Sequence, residues 1–404
     1  MFLIYDVIFL LYAVIYLPYL LLTSRGYRGY GMRFGIFPLK LKEQVRAKAN
    51  IWVHAVSVGE VMVLDGFIGQ LSRYYPDHQV IATVTTKTGY ELACESLKGK
   101  ALVMPSPVDF SFTARRFVSL IEPKMYIAVE TEIWPNLFRE LYLRHVPFAV
   151  INGRISDVSF GRYQAIRFLL KGVLNQVSVW CMQSRKDADR VIGLGALPSR
   201  VIVTGNMKFD NGPKLSDPSS IDTAGSKDGL CWVAGSTHPG EDEIVLDVYS
   251  KIIKDHPQWR LIIVPRHVER AASIRQMVLE RGLKNVKVID TVGQLRNLYA
   301  HASLVFVGKS LCVGGGQNII EPAFYGKAIV IGPKTANFRD IVACFKQGHG
   351  IVQVEDAHSF EQAVRDLCAD AGRREALGIA ARGVIAANQG ATRRSIECLA
   401  GLLK

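Results

Sequence analysis

Cysteine is sparse and unpaired in this chain: seven thiols, at positions 94, 181, 231, 312, 344, 368 and 398, with no C-x-x-C among them. That spacing excludes a disulfide framework and a zinc ribbon, and it fits a reducing compartment. Nor do His, Asp and Glu fall together at metal-ligand spacing, so no metal and no other cofactor is expected. Asp187-Ala-Asp189 has the D-x-D form of metal-dependent sugar-nucleotide enzymes. It sits in RKDADRVIGLG, a helical surface pattern, and reads as solvated charge. Zinc-finger spacing, RNP-type aromatics and lysine-rich tails are missing, which argues against a nucleic-acid partner. Low-complexity tracts are missing too: the 404 residues are 49% hydrophobic and 21% charged, enough for two domains with proper cores.

Charge is almost absent from residues 2–22, FLIYDVIFLLYAVIYLPYLLL, a run long enough to cross a bilayer. No basic region precedes it and no small-x-small site follows, so it reads as a membrane anchor (residues 1–24), not a cleaved signal peptide. Residues 25–48 then carry seven basic side chains against one acid, Glu43. By the positive-inside rule the body of the chain belongs on the cytoplasmic face of the inner membrane. Asp6 and Pro18 disfavour a simple spanning helix and leave a shallow interfacial helix as the alternative. The net charge of +13 suits anionic membrane lipids or a multiply charged substrate.

Past the anchor, apolar strands alternate with amphipathic helices. Strands are predicted at 51–55, 80–85, 101–104, 125–129, 148–151, 179–182 and 201–203. After a Ser/Asp/Pro/Gly-rich stretch the rhythm restarts at 231–235, 261–265, 286–290, 304–308, 328–332 and 351–354. This predicts an α/β protein with two Rossmann-like, doubly wound domains facing a central cleft. The first domain covers 25–210, a linker 211–229 and the second 230–404, with terminal helices from 373 able to pack back on the first.

Chemistry-bearing residues fall at the ends of these strands. In IWVHAVSVGE an apolar strand stops at Ser57, Ser57 and Gly59 read as a tight turn, and Glu60 opens a helix. A carboxylate there stands where open α/β sheets bind ligands. Glu60 is either a catalytic base or a charge that complements the helix dipole. The dipole favours its ionised form yet lowers its basicity. VETEIWPN offers Glu130 and Glu132, which share a face if the segment is extended, and two close acids do not ionise together. Thr86 and Lys87 in TTKTG, Arg154 in INGRIS and Lys208 in GNMKFD are further polar strand-end groups. In the second half AGSTHPGEDE places Ser236 and Thr237 before a helix expected near Pro239, a backbone arrangement that accepts phosphate. Arg266 ends the strand in LIIVPRHVER. LCVGGGQNIIEPA brings Gly315, Gly316, Asn318 and Glu321, the last two at i, i+3 on one expected helix face, suited to a ribose. No G-x-G-x-x-G occurs there, which disfavours a dehydrogenase.

Taken together, HAVSVGE, TTKTG, ETEIWPN, NGRIS, GNMKFD, AGSTHPGED, PRHVER and GGQNIIEP resemble the Kdo transferases. These are the membrane-bound GT-B glycosyltransferases that add 3-deoxy-D-manno-octulosonic acid (Kdo) to the lipid A precursor. The resemblance runs from the anchor to the last helix. It implies CMP-Kdo as donor, the lipid A precursor as acceptor and an inverting, metal-independent transfer in lipopolysaccharide synthesis. By the same resemblance Glu60 is the general base, with Glu130 and Glu132 beside it. Ser236, Thr237, Arg266, Gly315, Gly316, Asn318 and Glu321 would hold the CMP part. Ser57, Gly59, Thr86, Lys87, Arg154 and Lys208 would meet the acceptor or Kdo. The chain departs from the family pattern at Gln317, where His is frequent, at Lys309, where a second Gly is usual, and at Val158, in place of Arg. The alternatives are a GT-B transferase using another nucleotide sugar on a membrane lipid, or a membrane-anchored binding protein without chemistry.

Overall fold

The computed structural model describes residues 5, 6, 10, 30–212, 229–291 and 293–403. Apart from Tyr5, Asp6 and Leu10, the expected anchor lies outside the described residues, as does the expected linker between 213 and 228. Among the described residues no helix is long and apolar enough to cross a membrane.

The chain forms two compact units, one from Met1–Asn211 with Gln389–Lys404, the other from Gly212–Asn388. In the first, β1 (Ala49–Ala55), β2 (His78–Val84), β3 (Leu102–Pro105), β4 (Pro123–Val129), β5 (Phe148–Gly153), β6 (Val179–Met182) and β7 (Val201–Val203) form one sheet. Their spatial order is β3-β2-β1-β4-β5-β6-β7, with every pair parallel. In the second, β8 (Leu230–Thr237), β9 (Trp259–Pro265), β10 (Val286–Val288), β11 (Leu304–Val307), β12 (Ala328–Ile331) and β13 (Val352–Gln353) run β10-β9-β8-β11-β12-β13, again all parallel. Both sheets reverse their winding between their first and fourth strands. At such a switch point the two loops at the strands' carboxyl ends diverge and leave a crevice for a ligand.

Strand burial explains the near-continuous apolar runs. Trp52 of β1 joins one core cluster with Phe117, Tyr126 and Phe138, while Ile51, Val53 and Ala55 of the same strand join another with Leu64, Phe67 and Ile68. Alternate residues thus feed the two faces of a sheet covered by helices on both sides. Each such side chain contributes about 1.5–3 kcal/mol by leaving water. In the second unit Trp232, Phe306 and Phe360 centre the core. The closing helix, Ala391–Ala400, belongs to the first unit, where Asp210 accepts from the backbone amides of Gly390 and Thr392.

Five local expectations are corrected. Gly59 lies inside the helix Val58–Tyr74 and not in a turn. The helix after β8 starts at Glu241, because the strand continues through Thr237 and Gly240 takes a left-handed φ of 86° as its cap. β4 ends at Val129 and Glu130 has φ 60°, so Glu130 to Glu132 is a bend, not an extended pair on one face. Asn318 precedes the short helix Ile320–Phe324 and does not share a helical face with Glu321; its Oδ1 accepts from the Ile320 amide at 3.1 Å. Asp187, expected in solvent, is only 5% exposed and accepts from the Ile155 amide at 2.9 Å, tying the NGRIS loop to the helix Arg185–Leu194.

Candidate active site

In the first unit the switch point lies between β1 and β4, so the loops carrying Glu60 and the Glu130–Glu132 bend are neighbours. Ser57 is extended and caps the helix Val58–Tyr74, whose first turn contains Glu60. The Glu60 carboxylate turns back on its own helix start: Oε2 accepts from the Val56 amide at 2.6 Å, and Oε1 from the Ser57 amide at 3.2 Å and the Ser57 hydroxyl at 2.9 Å. A carboxylate has about four lone-pair sites, so these three donors fix its orientation and leave room for one further proton donor. Glu60 is 5% exposed. Burial raises its pKa, reinforced by the charge of Glu130 and opposed by the hydrogen bonds from Val56 and Ser57. The helix-end charge and a group of raised basicity are therefore the same residue: desolvation outweighs the dipole and the hydrogen bonds.

Glu132 is the most perturbed acid of this site. Burial, then the charges of Glu60 and Glu130, push it up to about 7. Among the described residues its carboxylate has no hydrogen-bond partner. Glu130 pairs with Lys208, Nζ to Oε1 at 3.6 Å. Asn152 brings that lysine in: fully buried with φ 53°, it accepts from the Met207 amide at 3.0 Å and so docks GNMKFD against NGRIS. The Arg154 amide donates to Thr131 Oγ1 at 2.9 Å, drawing the same two motifs toward the Glu130–Glu132 bend. Thr86 caps the helix Lys87–Ser96, donating to the Val56 carbonyl and accepting from the Gly89 amide, while Lys87 is exposed. Gly89 is required by space: a Cβ there would lie 3.2 Å from the Ser57 carbonyl carbon and 2.8 Å from Thr86 Oγ1. Gly59, by contrast, is exposed and crowded by nothing closer than Ser57 Oγ at 3.8 Å.

Two supporting residues escaped the sequence reading. His54, 2% exposed, sits between Thr83 Oγ1, 2.9 Å from Nδ1, and the Trp134 ring, which it meets edge-on at 5.5 Å. Thr83 Oγ1 also accepts from Trp52 Nε1 at 2.8 Å, so one hydroxyl joins the two rings. Burial holds His54 down to about 3, so it is a neutral prop for the loop carrying Glu132. Asp109, 1% exposed, accepts from the Asn136 and Leu137 amides at the start of the helix Pro135–Leu143, and burial pushes it up to about 6. Asp6, a costly acid in an apolar run by sequence, accepts from Asn136 Nδ2 at 2.7 Å and the Ser111 amide at 3.2 Å.

In the second unit the switch point joins the β8 and β11 ends. Ser236 has φ 55° and is half-buried, whereas Thr237 is fully buried. Gly308 packs directly on this turn, since a Cβ there would lie 2.6 Å from the Ser236 carbonyl oxygen. Glu241, fully buried and unforeseen in the sequence, clamps the two loops: Oε2 accepts from the His238 and Lys309 amides, Oε1 from those of Ser310 and Leu311, all at 2.8–2.9 Å. The buried Asp242 pairs with Arg270, which also donates to the Thr237 carbonyl. Arg270 is therefore the structural arginine of PRHVER. Arg266 is exposed, and among the described residues its guanidinium has no partner. Glu321 pairs with Arg296 at 3.2 Å, and Gly315 and Gly316 are buried with φ 121° and 73°. Among the described residues no group of three His, Cys, Asp or Glu side chains is placed to hold a metal ion.

Two parallel doubly wound sheets, each with polar groups gathered at its switch point, define an α/β glycosyltransferase fold of the GT-B-like class. The UDP-GlcNAc 2-epimerase from Neisseria meningitidis shares this fold with a TM-score of 0.65, at 12% identity over 87% of this chain and 99% of that one. Residues 28–211 match the family described as 3-Deoxy-D-manno-octulosonic-acid transferase (kdotransferase), and 243–384 match Glycosyl transferases group 1. The 3-deoxy-D-manno-octulosonic acid transferase of Haemophilus influenzae is 33% identical over 87% of this chain and 86% of its own length. That of Bordetella pertussis is 30% identical over 87% of both. The chain belongs to the Kdo transferase family and is a glycosyltransferase.

Proposed function

We propose that the chain transfers Kdo from CMP-Kdo to a hydroxyl of the lipid A precursor, lipid IVA, with inversion and without a metal, at the cytoplasmic face of the inner membrane. The observation that carries this is the Glu60 carboxylate at the β1–β4 switch point, fixed by three donors and made more basic by burial. It takes the proton of the acceptor hydroxyl as that oxygen bonds to the donor's anomeric carbon. The bond from that carbon to the phosphate oxygen breaks, its electron pair leaves with CMP, and the configuration inverts. Arg266 and the Ser236 turn stabilise the departing phosphate with fixed charge and dipoles. Donor, acceptor and surrounding lipids are all anionic, and a net charge of +13 attracts all three.

The test supplies purified enzyme with CMP-Kdo, generated in place, and lipid IVA, and reads the lipid by mass spectrometry. Kdo-bearing product is expected from the wild type. Glu60→Gln is expected to lower kcat by about 10²–10⁴-fold while CMP binding is retained. Absence of Kdo product together with activity on a UDP-sugar would overturn the donor assignment, and near-normal turnover by Glu60→Gln would overturn the base.

A further inference from the structure

Lys309 occupies a position where its backbone is strained and its charge is unmatched. It follows Gly308 at the end of β11 with φ 59°, a left-handed conformation that glycine adopts freely and lysine does not. Its amide is committed to Glu241 at 2.8 Å and its carbonyl accepts from the Gly316 amide at 2.7 Å, so the strain is held from both sides. The side chain is half-buried, and among the described residues its ammonium makes no ion pair or hydrogen bond. Its Cε lies 3.3 Å from where a Cβ on Gly315 would stand, so the side chain is laid across the buried glycines. Its charge is also close enough to lower the pKa of His238, whose Nδ1 is 3.1 Å from the Ser236 carbonyl. Glu241 makes no ion pair with it, both of its oxygens being directed at four backbone amides.

A lysine held in a left-handed backbone, with an unpaired ammonium beside the Ser236 turn, costs stability through that strain, and the cost points to a ligand. We propose that Lys309 is a donor-binding residue whose ammonium binds the nucleotide phosphate of the sugar donor. This rests on the CMP-sugar donor assignment above. Glu241 is its positioning residue, holding the left-handed backbone that sends the side chain over Gly315. The same amides of Lys309, Ser310 and Leu311 that would form an anion-binding nest are filled by the protein's own carboxylate. The phosphate is therefore met here by a side-chain charge and not by the loop backbone.

The experiment compares wild type, Lys309→Gly, Lys309→Met and Lys309→Arg for inhibition by CMP and by cytidine, KM for CMP-Kdo, kcat and thermal melting. Lys309→Gly and Lys309→Met are expected to weaken CMP and raise KM about 10- to 100-fold, the loss of one charge-assisted hydrogen bond. Cytidine inhibition stays within a few fold, kcat falls together with the affinity because the same phosphate departs in the reaction, and Lys309→Arg restores most of both. Lys309→Gly is also expected to melt higher than wild type while binding CMP more weakly, a combination that a purely structural lysine would not give. Unchanged CMP inhibition with normal turnover overturns the proposal. A loss confined to CMP-Kdo, with CMP unaffected, overturns it equally by moving the contact to the sugar carboxylate. A wild type that turns over no CMP-Kdo at all refutes the donor assignment, and is thereby distinguished from a failure of Lys309.

Discussion

Replacing Glu132 with glutamine should make the protein more stable at neutral pH and leave it unchanged in acid. Glu132 is raised from an ordinary 4.5 to about 7 by burial and by Glu60 and Glu130. Between those values the folded chain keeps a proton that the unfolded chain has released. The folded state therefore binds more protons across this window, and the free energy of unfolding falls as pH rises from about 4.5 to about 7. A shift of about 2.5 units corresponds to about 3 kcal/mol, an upper bound because the side chain is only partly buried and water screens part of the repulsion. Above pH 7 the whole cost is present, and Glu132→Gln removes it without changing the shape of the side chain. For a unit of this size the gain corresponds to a rise in Tm of up to about 10 °C. Thermal and urea unfolding of both proteins at pH 5 and pH 8 measure it: most of the difference should appear at pH 8. An equal difference at both pH values, or a Glu132→Gln protein less stable than wild type at pH 8, would refute the reasoning. The same substitution should leave the acidic limb of kcat/KM in place, since Glu132 is already protonated where Glu60 titrates and the charge that raises Glu60 is that of Glu130.

Breaking the buried Asp242–Arg270 pair through Arg270→Met should cost about 3–5 kcal/mol in urea unfolding, because an uncompensated carboxylate is left inside. The double variant Asp242→Asn, Arg270→Met should recover much of that loss. Gly59→Ala should raise stability by about 0.5–1 kcal/mol, since the position is helical and uncrowded. Its turnover should nonetheless fall if the acceptor approaches the exposed start of that helix; unchanged KM for lipid IVA would count against contact there.

The strands were legible because a parallel sheet buried on both faces demands unbroken apolar runs, and each predicted strand has an observed counterpart. Thr86, Ser156 and Ser184 each precede a helix and accept from an amide in its first turn, a local pattern the sequence reading did not single out. The Glu130–Glu132 bend was not legible, since the amide of a left-handed Glu130 is held by the Ile151 carbonyl, a partner on the neighbouring strand. Asp187 was misjudged and Arg270 was passed over for a related reason. Helical charge patterns and motif position show which residues are polar, but not which of them a distant loop will cover.

By itself the sequence determined the two α/β halves, the positions of Glu60, Arg266 and the glycines at strand ends, and the family to which the chain belongs. Periodicity and ordered motifs are local properties, carried by neighbouring residues. Only the tertiary structure decided the electrostatics: the desolvation that raises Glu60 and Glu132, the neutral His54 beneath Trp134, and the Glu241 carboxylate that fills the Lys309–Leu311 amides. Those depend on what surrounds a group in space, and strands distant in the chain supply the surroundings.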